Sequence, residues 1–351
     1  MTSYGWQNLL YLSIVSITLC GLFVNFWKNQ EFISKFSKIY EGEQRVHMGE
    51  ISRWGGLMMY LALMIFYHLY DQIINYKYQY LLYLITPLML IGFVEDTLNN
   101  VSFSVRLFVM FLTALIINLY WIDVFPIIEN IPIISYLLEF DAFVIVFFSL
   151  ALVGLMNGAN FIDGMNGLAA CFFLFAAFGC ISLAMIANDL DALLALIPWI
   201  IVTTFFLLIN YPFGKLFLGD SGAYLMAILL GVWLIDYFGR HHHISSWNAV
   251  LILLYPVLEV IYSVIRKALQ GRSPFHPDRG HLHIKVYDIV LKATKKPLYA
   301  NNVTTVFLSI FWLTPATLVH FVYDSQLAIA LSIISVTFIY LVINHFTPLE
   351  S

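Results

Sequence analysis

Eleven apolar runs set what this chain can fold into; they lie near 9–27, 54–70, 78–94, 107–122, 142–157, 167–187, 192–209, 222–238, 249–265, 303–322 and 327–344. Each is long enough, with some tilt or re-entry, to cross a hydrocarbon core of about 30 Å. In such a core only helices and closed barrels satisfy their own backbone, and the alternation that a barrel needs is absent. The runs predict an all-α integral membrane protein, a multi-pass bundle of about 11 transmembrane helices forming a single membrane-embedded domain over residues 1–351. Composition agrees: 61% of residues are hydrophobic and 11% charged, against about 25% charged in soluble domains. Neither the composition nor the net charge of -4 points to nucleic acid. Cys20, Cys171 and Cys180 all fall inside apolar runs, so neither a disulfide framework nor a zinc site is expected. The first run has no basic residue before it and no A-x-A cleavage site, which predicts a retained helix rather than a signal peptide.

Basic residues orient the bundle. With loops assigned alternately to two sides, fifteen of the 17 lysines and arginines share one side, and only Lys77 and Arg240 fall on the other. The positive-inside rule makes the basic side cytoplasmic, with the N-terminus outside and the C-terminus inside. Four polar clusters then share the cytoplasmic face: Glu95–Asp96, the stretch Asn160–Asn166 around Asp163, Asn210 with Asp220, and His276, His281 and His283. The outer loops carry Asp123, Glu129, Glu139, Asp141, Asp189 and Asp191, read as solvated acids without basic partners.

Acids converging from three separate loops repel one another and raise each other's pKa. A divalent cation resolves that conflict, and hard carboxylate oxygens suit Mg²⁺, with substrate phosphates completing the shell. Arg272, Arg279, His281 and His283 in loop 266–296 can meet phosphate oxygens. Carboxylates, Mg²⁺ and a cationic loop at a membrane surface imply phosphoryl transfer between a soluble anion and a lipid. Blander readings stand beside these. Asp220-Ser221-Gly222 is also a helix N-cap pattern. Lys292, Lys295 and Lys296 suit juxtamembrane anchoring. Glu259 reads as a buried carboxylate bracing the basic loop, and His241–His243 as an outer interfacial segment beside Arg240 and Trp247.

Five stretches, taken in order, resemble the polyprenyl-phosphate N-acetylhexosamine-1-phosphate transferases, the family that includes initiators of O-antigen, common antigen and teichoic acid assembly. They are "RVHMGEISRWGG", "EDTLNNVSFSVRL", "NGANFIDGMNGL", "NYPFGKLFLGDSG" and "SPFHPDRGHLHI", and together they span about 70% of the chain. The chain departs from the family pattern at Ser52 (usually proline), Glu95 and Asn166 (usually aspartates) and Ile284 (a histidine). The Glu-Asp pair and the lone His-Leu-His lean towards an O-antigen or capsule initiator rather than peptidoglycan synthesis.

The resemblance implies that polyprenyl phosphate, undecaprenyl phosphate in a bacterium, attacks the β-phosphate of a UDP-N-acetylhexosamine. UMP leaves, and Mg²⁺ (or Mn²⁺) is required. It also implies roles. Asp220 becomes the principal metal ligand. Asp96 becomes a base or nucleophile and a second metal ligand, with Glu95 assisting. Asn160 and Asp163 hold the nucleotide or metal-diphosphate end. Arg279, His281 and His283 bind phosphate, with Asn210, Arg45 and His47 further substrate-binding candidates. Direct attack and a covalent phospho-Asp96 intermediate both stay open. A polytopic transporter is the competing class, although its polar breaks would lie near the bilayer midplane. A CDP-alcohol phosphotransferase would need further aspartates and an arginine after Asp163-Gly164, and "MNGLAACFFLF" supplies none. Oligomeric state is not written in the sequence.

Overall fold

The computed structural model describes residues 52–69, 76–273 and 279–347, together with scattered positions between 10 and 21. Most of the first apolar run, together with Arg45, His47, His276 and Asp278, lies outside the described residues. Among the described residues fifteen α-helices follow one another: α1 Gly55–Leu69, α2 Tyr76–Leu84, α3 Thr86–Leu98, α4 Phe103–Tyr120, α5 Pro132–Leu137, α6 Asp141–Ile162, α7 Leu168–Ile186, α8 Leu190–Asn210, α9 Gly219–Arg240, α10 Trp247–Ile252, α11 Leu254–Leu269, α12 Leu282–Thr294, α13 Pro297–Phe307, α14 Leu313–Val322 and α15 Gln326–Phe346. A 3₁₀ turn, Leu308–Phe311, joins α13 to α14. Among the described residues the only β pairing is an isolated parallel bridge between Ser52 and Leu216.

The protein is an integral membrane helical bundle. Among the described residues seven helical segments are long and apolar enough to cross a bilayer, or eight if the bent pair α2–α3 is one span. The expected eleven are therefore not all of spanning length. The 54–70 run yields a helix of only 15 residues. The 78–94 run is bent by 45° where Pro87 opens α3. Proline has no N–H to give and its ring crowds the preceding turn. The 249–265 run breaks at Leu253, three residues before Pro256, for the same reason.

α9 is the axis. Every residue from Gly219 to Gly239 except Leu229 is buried, as befits a helix apolar on all sides. It packs against α1, α3 and α6, while α4 and α11 cover α6, and α8 and α14 cover α7. Apolar surface supplies little drive between helices in lipid, so close backbone approach matters more. At Gly56 a Cβ would overlap the backbone of Gly222, and at Gly92 it would overlap Ser221. The peripheral helix α15 shows the inverse pattern, with Leu331, Phe338 and Phe346 exposed.

Candidate active site

The N-terminus of α9 organises the site. The first N–H groups of a helix have no partner within it and carry the positive end of the macrodipole. Here they are satisfied by carboxylates from elsewhere in the chain. Asp96, on the last turn of α3, accepts the N–H of Asp220 at 2.7 Å and the N–H of Ser221 at 3.0 Å. It also accepts the Ser221 hydroxyl at 2.8 Å. Asp163, just beyond α6, accepts the Gly219 N–H at 3.0 Å. Gly219 permits this with φ of 73°, and a Cβ there would meet both oxygens of Asp96 at 2.6 Å. Left-handed backbone and close approach together require glycine.

Asp220 points the other way, towards two guanidinium groups. Arg53 Nη2 donates to its Oδ1 at 3.1 Å, Arg106 Nη1 donates to its Oδ2, and the Tyr224 hydroxyl donates at 3.0 Å. Arg53 also lies 3.6 Å from Asp96, and Arg106 lies 3.6 Å from Glu95. Glu95 further accepts the Val101 N–H at 2.9 Å. The segment before α1 delivers Arg53 by pairing with residues 216–218: the Phe217 N–H donates to Ser52 O at 2.7 Å, and the Gly55 and Gly56 N–H groups donate to Phe217 O and Leu218 O.

Glu95, Asp96, Asp163 and Asp220 thus gather at one helix end around Arg53 and Arg106. The four acids are legible in the sequence; their pairing with Arg53 and Arg106 is not. Asp163 keeps part of its surface open yet lies deep enough that burial lifts its pKa to about 8, with Arg53 and the Gly219 N–H pulling it down. Among the described residues no three His, Cys, Asp or Glu side chains converge closely enough to hold an ion by themselves.

The remaining candidates divide. His281 Nδ1 bonds Glu259 at 2.9 Å, and the Leu282 N–H reaches the same carboxylate at 3.3 Å. Glu259 therefore braces the loop, as its sequence position suggested. The His281 ring stacks on His283 at 5.7 Å and contacts Phe161 at 4.8 Å. His283 reaches the acidic turn: its Nε2 would lie 2.5 Å from a Cβ on Gly164. Burial lowers the His283 pKa to about 4, so it is neutral at pH 7. Asn160 is half-buried at the end of α6. Asn210 is buried and joins two loops, accepting the Gly167 N–H and donating to Leu216 O at 2.6 Å. Arg279 forms a two-pronged pair with Asp288.

At the opposite end of α9, two of the outer acids prove to be paired rather than simply solvated. Asp189 bonds Arg240 at 2.5 Å and His241 at 2.9 Å. Burial would raise its pKa, but the Ala192 N–H, His241 and Arg240 outweigh that and hold it at about 2. Lys77 lies 3.4 Å from Asp123 and 2.8 Å from Asp236.

Residues 78–238, which carry all four acids and Arg106, match the model of glycosyl transferase family 4. The undecaprenyl-phosphate alpha-N-acetylglucosaminyl 1-phosphate transferase of Thermotoga maritima is 27% identical over 276 residues, covering 78% of this chain and 79% of the relative. Nearly half of the chain thus resembles glycosyl transferase family 4. The protein is an enzyme of the phosphotransferase class. The Escherichia coli protein with the same name as the Thermotoga relative is 28% identical over 250 residues, 68% of this chain and 65% of its own. The decaprenyl-phosphate N-acetylglucosaminephosphotransferase of Mycolicibacterium smegmatis is 28% identical over 158 residues, 39% of each chain. Arg53, Glu259, His281 and His283 lie outside the segment that the family 4 model matches, yet the fold brings Arg53 and His283 to it.

Proposed function

We propose that this phosphotransferase moves N-acetylhexosamine-1-phosphate from a UDP-sugar to polyprenyl phosphate, undecaprenyl phosphate in a bacterial inner membrane, and releases UMP. Such a reaction is a first step of surface-polysaccharide assembly. One observation carries the reading: acids from three distant segments and two guanidinium groups converge on one helix N-terminus at one end of the bundle. The names of the family relatives favour a polyprenyl-phosphate acceptor and N-acetylglucosamine.

In the transfer, an oxygen of the lipid phosphate attacks the β-phosphorus of the UDP-sugar. The bond to the bridging oxygen breaks, and the electron pair leaves with UMP. The lipid phosphate is already anionic near neutral pH, so positioning and charge neutralisation are chemically sufficient. Direct attack is favoured over a phospho-Asp96 intermediate, because the Asp96 carboxylate is sealed against three donors at the start of α9. Asp96 fixes the helix end that presents Asp220. Arg53 and Arg106 are placed to trade carboxylate for phosphate oxygens. Asn160 and Asp163 would line the nucleotide end, with His283 against the same turn.

The donor set fits Mg²⁺, with Mn²⁺ a substitute: it offers only hard oxygens, and four acids face two guanidinium groups. Asp220 and Asp163 would hold the ion, with diphosphate and water completing the shell, since Mg²⁺ typically takes only one or two protein carboxylates. Bound there, the ion would neutralise charge building on the diphosphate.

The orientation follows from α9. Its 22 residues separate the two ends by about 33 Å. The acidic site shares its end with Arg53, Arg106 and Lys215, whereas Lys77 and Arg240 are at the far end, neutralised by Asp123, Asp189 and Asp236. The site end is proposed as cytoplasmic within a single-domain membrane bundle. A transporter reading is less favoured, because these polar groups sit at helix ends. Purified protein incubated with undecaprenyl phosphate, Mg²⁺ and a panel of labelled UDP-N-acetylhexosamines tests the proposal. Labelled lipid and equimolar UMP are expected from at least one sugar; neither from any sugar overturns it.

A further inference from the structure

The turn carrying Asp163, residues 163–167, is held mainly from outside its own helices. Asn166, fully buried, is the point of attachment. Its N–H donates to Asn301 Oδ1 at 2.7 Å, and its carbonyl accepts the Thr305 hydroxyl at 2.7 Å. Its side-chain Nδ2 donates to Pro212 O at 2.9 Å and to Asn302 Oδ1 at 3.3 Å. Asn301 and Thr305 are themselves buried, at 2% and 3% exposure. They stand four residues apart on α13, hence on one face. Buried polar groups on an interior helix face need a partner, and here the partner is the irregular backbone of the acidic turn.

The other end of the same turn meets His283, whose ring lies against Gly164. His283 is on α12, and α12 packs against α13. The α12–α13 hairpin therefore grips the turn at both ends, through His283 at Gly164 and through Asn301 and Thr305 at Asn166. None of these three gripping residues lies in the segment that matches the family 4 model.

We propose that Asn301 and Thr305 are positioning residues: acting through the Asn166 main chain, they set where Asp163 stands relative to the N-terminus of α9. Asp163 is three residues from the clamp and bonds the Gly219 N–H across the site. A turn whose backbone bonds are supplied by one remote helix takes its conformation from that helix. Displacement of a reacting constellation by about 1 Å can cost about a hundredfold in rate. The kinetic consequence rests on the proposed transferase reading; the clamp itself does not.

The test compares Thr305→Val, close in shape but without the hydroxyl, with Thr305→Ser, which keeps the donor. UMP release is measured against UDP-N-acetylglucosamine at saturating undecaprenyl phosphate. Hydrogen exchange of residues 163–168 and the apparent melting temperature are followed in detergent. Thr305→Val is expected to lower kcat/KM for the UDP-sugar by about tenfold to a hundredfold and to speed exchange in that segment. The KM for the lipid should stay unchanged, the melting temperature should fall only by what one lost buried hydrogen bond costs, and Thr305→Ser should restore both rate and protection. Wild-type kinetics in Thr305→Val overturn the proposal. So does a loss that merely follows the melting temperature, or one that serine fails to rescue. Absence of UMP release from the wild type would instead remove the transferase reading. In that case the exchange comparison decides the clamp alone, and unchanged exchange in Thr305→Val overturns it.

Discussion

Replacing Arg53 with glutamine isolates the cation that the sequence reading did not place in the site. The guanidinium lies 3.1 Å from Asp220 and 3.6 Å from Asp96. At an effective dielectric of about 20 each pair attracts by roughly 5 kcal/mol before desolvation. Removing one partner of a buried pair typically leaves a net loss of about 3–5 kcal/mol. The Arg53 side chain is 28% exposed, so solvent screens part of that, and about 2 kcal/mol is a fair expectation. Expressed in the transition state, this is roughly a thirtyfold loss in rate. Arg53→Gln should therefore lower UMP release by about that factor, with Arg53→Lys intermediate, since lysine keeps the charge but not the span between two carboxylates. Arg53 also pulls the Asp163 pKa down. Its removal raises that pKa further, so if Asp163 acts ionised, the rising limb of the pH–rate profile moves to higher pH. A variant with wild-type rate and an unmoved limb would refute the charge argument for this helix end.

Gly219→Ala should abolish at least about 99% of activity, because αL backbone alone costs an alanine roughly 1–2 kcal/mol and the new methyl meets Asp96; Gly154→Ala, with open space around it, is the neutral control in the same UMP assay. His283 stays neutral when folded, with its pKa lowered by burial from 6.5 to about 4, whereas the unfolded chain takes up the proton. Stability should thus fall as pH drops from 6.5 towards 4, by about 3 kcal/mol in all, and a melting series in detergent should lose that slope in His283→Asn. Asp189→Asn breaks the pairs with Arg240 and His241 at the far end of α9; the apparent melting temperature should fall while turnover per folded molecule is unchanged.

What could be read in advance follows from the range of each interaction. Helical runs are local, and every described run proved helical. The breaks at Pro87 and near Pro256 were also local signals, hidden because hydropathy averages over them. The four acids carried their own signature, carboxylates beside glycines at the ends of apolar runs. Their attachment to α9 did not, because Asp96 caps a helix that begins more than a hundred residues later. Arg53 pairs with Asp220 across 167 positions, and no spacing within its own segment points there. Asn301 and Thr305 look like ordinary polar residues on α13. Only the fold shows that their partner is the turn at Asn166. Asp189 and Asp123 seemed solvated because Arg240 and Lys77 approach from other helices.

Asp220→Asn tests the central claim most directly. The amide keeps the shape and the Tyr224 contact at the start of α9 but loses the charge that faces Arg53 and Arg106. With undecaprenyl phosphate, UDP-N-acetylglucosamine and Mg²⁺ or Mn²⁺, the wild type should release UMP, and EDTA should stop it. The folded Asp220→Asn protein should release about a thousandfold less at any metal concentration, in line with removal of a principal electrostatic group. UMP release at the wild-type rate from that variant would contradict the account.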